Sequence, residues 1–121
     1  MNQQIKDRIH QEQLKLINAS RVFLDFQHNK VGVNSALFSV LGKPDNVGLY
    51  FNENQLIISS NGCLKLSKNL LEQKYLLINT HYLLTNMRLI FNLPEYDNER
   101  RYKVKSFEKN YYSRFVKIDM G

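Results

Sequence analysis

The spacing of apolar residues changes several times along the chain, and each change predicts an element. Over residues 2–18, Ile5, Ile9 and Leu16 recur on one stripe, widened by Leu14 and Ile17, among Gln, Lys, Arg, Asp and Glu. A 3.6-residue period of this kind predicts an amphipathic helix, ended near residues 18–20. Its stripe suits packing on its own domain, with a dimer contact as the alternative. The β-branched and aromatic run RVFLDF (21–26) predicts a strand, QHNK a turn and VGV (31–33) a short strand. Asn34 or Ser35 can then cap a helix whose inner face is Leu37, Val40 and Leu41. Gly42 can take the left-handed closing position and Pro44 forbids continuation. Strands over 46–51 and 55–59 flank a turn at NEN, where Asn tolerates positive φ, and a loop with a possible short strand follows.

The order then recurs. Residues 74–78 are strand-like, Asn79 or Thr80 can cap, and Leu83, Leu84, Met87, Ile90 and Phe91 return at helical spacing until Pro94. A strand over 100–107, a turn at 108–110 and a returning strand over 111–118 complete the half. At an offset of 45 positions, Val33-Asn34-Ser35 aligns with Ile78-Asn79-Thr80. The expected fold is α+β in a single domain, 1–121: an N-terminal helix and two β-α-β-β half-units, 21–59 and 74–118. One such unit cannot cover both faces of its own hairpin, whereas two can close a small barrel and hide the strand edges.

Composition adds boundaries. The chain has 121 residues, 43% of them hydrophobic, enough for one core. Cys63 is the only cysteine, so no internal disulfide forms, and a small, partly buried residue is expected there. His10, His28 and His81 are scattered without a partner at metal-ligand spacing. No metal or cofactor is expected. No apolar run is long enough for a membrane helix, and MNQQIKDRIHQEQ lacks the apolar core of a signal peptide. A cytoplasmic protein in a bacterial host cell, with no membrane partner, is the expectation.

VGVNSALFSVLGKPDNVGLYFNENQLII (31–58) resembles the AbrB-like swapped-hairpin unit: a short strand, a capped helix ending in Leu-Gly, a Pro/Asp turn and a hairpin. That family contains transcription regulators and antitoxins that bind DNA, usually as dimers, and its MraZ-like members carry two units per chain. The resemblance implies a swapped-hairpin-like barrel, DNA binding, and a monomer or a homodimer. Family members that read DNA place basic residues near the unit's helix. Here that helix is uncharged and the second offers only Arg88. In composition the chain is also similar to small accessory proteins of Gram-positive phages and integrative elements.

Charge decides where a site is sought. The chain carries +6, and residues 100–117 alone hold Arg100, Arg101, Lys103, Lys105, Lys109, Arg114 and Lys117 against Glu108. Strand alternation puts Arg101, Lys103 and Lys105 on one face and Tyr102 and Val104 on the other. Tyr111, Tyr112 and Phe115 interleave with Lys109, Arg114 and Lys117. Cations draw phosphates by counterion release and aromatic rings stack on bases, so the expected partner is the backbone of DNA or RNA. The plain alternative is a solvated, lysine-guarded sheet edge. No phosphate loop or nucleophile motif is present, His81 suits a helix start, and Asp25 points out of its sheet by alternation. The expectation is a non-enzymatic accessory or regulatory protein that binds nucleic acid through the basic C-terminal hairpin. The alternative is an inhibitor of a host defence nuclease, anti-CRISPR-like, binding an acidic or nucleic-acid-handling protein.

Overall fold

A computed structural model describes residues 3–26, 29–67, 75–80, 83–91 and 99–120. The chain begins with helix α1 (Gln3–Ala19), none of whose residues is buried. Ser20 ends it, its backbone N–H donating to Ile17 O and its hydroxyl to Leu16 O at 2.7 Å. Only the last turn reaches the core, through Ile17. Ile5, Ile9, Leu14 and Leu16, expected against the domain, remain exposed. Residues 3–16 are exposed throughout.

Strands β1 (Arg21–Asp25) and β2 (Lys30–Asn34) lead into helix α2 (Ser35–Val40), and β3 (Asn46–Asn52) and β4 (Gln55–Ser67) follow. Next come β5 (Tyr75–Asn79), helix α3 (Leu83–Ile90), β6 (Glu99–Lys103), β7 (Ser106–Lys109) and β8 (Arg114–Asp119). Among the described residues these strands form one eight-stranded sheet in the order β6-β1-β2-β5-β4-β8-β7, with β3 also against β4. Every pairing is antiparallel. The two ends of this path, β6 and β7, are consecutive in the chain and separated only by Val104 and Lys105. The sheet curls strongly, as a half-barrel. Lys105 N donates to Lys117 O at 2.8 Å across the corner.

That corner corrects the expectation of one strand over 100–107. Residues 99–103 pair with β1, and residues 106–109 pair with β8. A single straight strand cannot serve two ladders on opposite sides of a curled sheet, so the chain breaks between them. The turn expected at 108–110 falls instead at 110–113.

Alternation fills the interior. Along β1, Val22 and Leu24 are buried while Arg21, Phe23 and Asp25 face outward. Val31, Val33, Val47, Leu56, Ile58, Leu66, Leu76, Ile78, Val116 and Ile118 extend the strand side of the core, and Leu37, Leu41 and Met87 cover it from the helices. Each such side chain stabilises the fold by about 1.5–3 kcal/mol relative to an exposed position.

Local signals set the element ends. Asn34 caps α2, its Oδ1 accepting from Leu37 N at 3.0 Å. The same oxygen accepts from Arg21 N, and Asn34 Nδ2 donates to Ala19 O, so one side chain joins α1, β1 and α2. At the other end Gly42 adopts φ 84°, with Gly42 N bonded to Ser39 O and Lys43 N to Phe38 O. Those two bonds form a Schellman stop. In the NEN turn the positive φ is taken by Glu53 rather than by an asparagine. Thr80, expected as a cap, is buried and donates to Asn29 O from both its backbone N–H and its hydroxyl, tying β5 to the β1–β2 turn. Residues 27–28, 81–82 and 94, with His28, His81 and Pro94, lie outside the described residues.

The segment expected as a loop after residue 59 belongs instead to β4. Opposite it, Val47 pairs with Leu64 but Gly48 pairs with Ser59, so residues 60–63 bulge out. The bulge folds onto β3 so closely that a Cβ on Gly62 would lie 2.2 Å from Gly48 N. Gly32 pairs with Leu77, 45 positions further on, and Ile58 pairs with Val116, 58 positions further on. The hairpins flanking Ile58 and Val116 keep the latter spacing: Phe51 opposite Leu56 corresponds to Lys109 opposite Arg114.

Candidate nucleic-acid interface

The β7–β8 hairpin is closed by Asn110. Its N–H donates to Ser113 O, and its Oδ1 accepts from Tyr112 N at 2.9 Å, Ser113 N at 2.8 Å and Ser113 Oγ at 3.3 Å. An asparagine folded back on the two following amides fixes a turn without help from other elements. It lifts Tyr111 and Tyr112 to the tip, where they are 93% and 85% exposed. Their rings meet edge to face, with centroids 5.0 Å apart. Large aromatic side chains held this far into water on an ordered turn are not explained by packing.

Lys109 and Arg114 flank the turn and pair directly across the ladder. Arg114 is anchored by its backbone N–H, which donates to Ser60 Oγ of the β4 bulge at 2.9 Å. Its guanidinium lies over the end of α2, where a Cβ on Gly42 would be 3.3 Å from Nη1. Between the turn and the α2 stop runs a groove of about 360 Å³, lined by Leu41, Gly42, Pro44, Ser60 and residues 109–114. Among the described residues neither Lys109 nor Arg114 has a carboxylate within ion-pair distance. Like charges placed directly opposite destabilise a ladder.

The remaining expected residues do not join them. Lys105 Nζ bonds Asp119 Oδ2 at 2.9 Å, and Lys117 Nζ lies 3.4 Å from Glu108 Oε1. These are solvent-exposed pairs of small energetic weight, but they cancel the charge of the hairpin's outer face. Arg101 and Lys103 are exposed on β6, opposite Phe23 and Arg21 in another part of the sheet. The alternation expected there holds, with Tyr102 and Val104 packed toward the core. Arg21 turns its Nη1 to Asn18 O and Ser20 O at the α1 C-terminus, where the helix dipole favours a cation. Arg100 is half-buried, its guanidinium carbon 6.0 Å from the Tyr102 ring centroid. Arg88 belongs to α3, and its side chain lies outside the described residues.

The expected single strip is therefore divided into a β6 face, two internal ion pairs and one groove. Sequence reasoning missed the groove's far wall, Leu41, Gly42, Pro44 and Ser60, because more than fifty residues separate it from Arg114. It also missed Asn110, although Asn-Tyr-Tyr-Ser carries the signature of a side-chain-closed turn. Cys63, expected partly buried, is exposed on the bulge. Among the described residues no three His, Cys, Asp or Glu side chains gather in one place, and no helix is long and apolar enough to cross a membrane.

Comparison of the chain with protein-family models, curated proteins and solved structures finds no match.

Proposed function

We propose that the protein binds nucleic acid, without catalysing a reaction on it, by receiving backbone phosphate between Lys109 and Arg114. The observation that carries this reading is their direct pairing at the rim of a groove, without a carboxylate partner among the described residues. A phosphate set between them would replace repulsion with two charge-assisted hydrogen bonds. Lys103 and Arg101 on β6 would supply secondary contacts to a strand continuing across the surface.

The scaffold is inferred to be a duplicated swapped-hairpin unit of AbrB-like type. Support comes from Gly32, which pairs with Leu77, its counterpart at the 45-residue offset, and from the β3–β4 and β7–β8 hairpins, whose inner strands pair with each other. On this reading the chain supplies both units itself and works as a monomer.

Titration of a labelled oligonucleotide by fluorescence anisotropy across a salt series tests the function. Log affinity should fall linearly with log salt. The Lys109→Gln/Arg114→Gln variant should reduce that slope by about two, one for each cation removed from the phosphate. An unchanged slope, or no binding at low salt, overturns the proposal.

A second reading is favoured by α1, whose apolar residues Ile5, Ile9 and Leu16 stay exposed along one stripe. An amphipathic helix of this form fits a groove on a protein partner, as an inhibitor of a nucleic-acid-handling enzyme would.

A further inference from the structure

We infer that the groove takes single-stranded nucleic acid, with an unstacked base lying against Tyr111 and Tyr112 while the adjoining phosphate sits between Lys109 and Arg114. This rests on the phosphate-binding reading and specifies which form of nucleic acid that site accepts.

The shape of the charged surface carries the argument. A β-ribbon that enters a duplex groove presents its convex face and needs cations spread along it. On this hairpin the outward face is neutralised, Lys117 by Glu108 and the neighbouring Lys105 by Asp119. The cations with no such partner, Lys109 and Arg114, line a concave cleft instead. The groove they line, about 360 Å³, is walled on its other side by Leu41, Gly42, Pro44 and Ser60.

The aromatic pair points the same way. Bases inside a duplex already stack on each other and offer no free face, whereas every unpaired base does. Tyr111 and Tyr112 stand at the cleft mouth, almost wholly in water, on a turn braced by the bonds to Asn110. Their edge-to-face contact orients the two rings against each other. Bracing of this kind lowers the ordering cost that a flexible stacking platform would carry on binding. Cation and ring lie together within residues 109–114, all of which line the groove.

The test uses the full chain and three labelled probes of one sequence, each about 12 nucleotides long: single-stranded DNA, single-stranded RNA and duplex DNA. Anisotropy is measured at about 50 mM salt, where phosphate contacts are strong. Both single strands should bind, the duplex at least tenfold more weakly. Tyr111→Ala and Tyr112→Ala should each weaken single-strand binding by about tenfold, while Tyr111→Phe and Tyr112→Phe retain it. Thermal melts of the variants should overlay the parent, since neither ring is buried. Equal binding of duplex and single strand, or unchanged affinity in the alanine variants, overturns this inference and leaves the phosphate-binding reading standing. No binding of any probe overturns both. A difference between the DNA and RNA probes identifies which of the two the cleft prefers.

Discussion

Lys109 stands directly opposite Arg114 in the ladder that closes the last hairpin, two cations facing each other beside an open groove. On the proposed phosphate-binding reading, the arrangement trades some stability of the free protein for affinity toward an anion. Changing Lys109 should therefore move stability and binding in opposite directions. Lys109→Glu creates an opposite-charge pair and should raise stability by roughly 0.5 kcal/mol. It should also cut oligonucleotide affinity by tenfold or more. Urea melts and anisotropy titrations on the same preparations check both signs, and a variant that lost both would indicate damage to the turn.

The hairpin's own acids should act as a brake on nonspecific binding. Glu108→Gln releases Lys117 and Asp119→Asn releases Lys105. Each pair is solvent-exposed, so each substitution should change stability by less than about 1 kcal/mol. The double variant should bind duplex DNA more tightly than the parent, with a steeper salt dependence. A salt series on the duplex probe checks this, and an unaltered slope would mean that the outer face takes no part.

Asn34 should be among the costliest polar side chains to remove. It caps α2, accepts from Arg21 N and donates to Ala19 O. Asn34→Ala removes all three bonds and should cost about 2 kcal/mol or more, beyond an isolated cap. Asn34→Asp keeps both accepted bonds and should cost less than Asn34→Ala. Denaturant midpoints of the two variants measure the difference.

At the bulge, Gly62→Ala should destabilise by about 3 kcal/mol, the upper end for overpacking. The added Cβ would meet backbone atoms, Gly48 N at 2.2 Å and Gly48 Cα at 2.3 Å, which cannot rotate away as a side chain can. Because Ser60 in the same bulge accepts from Arg114 N, this variant should also weaken oligonucleotide binding. Melting and titration together check it. A stable variant with normal binding would contradict the close approach of the two strands.

Sequence patterning by itself determined the element order as far as β5 and α3, a cap at Asn34 or Ser35, the Gly42 stop and the alternation along β6, because each depends on interactions within one turn of helix or on the two-residue period of a strand. It likewise separated Arg101, Lys103 and Lys105 from Tyr102 and Val104. Only the tertiary structure decided that β6 joins β1 while β7 joins β8, that α1 keeps its stripe in water, and which cations meet a carboxylate. Local period sets which way a side chain points, but the curl of the sheet sets what it points at. Six surplus charges that look like one strip along the chain are thus carried to different parts of the surface, and the two at the Asn110 turn are left together beside a groove.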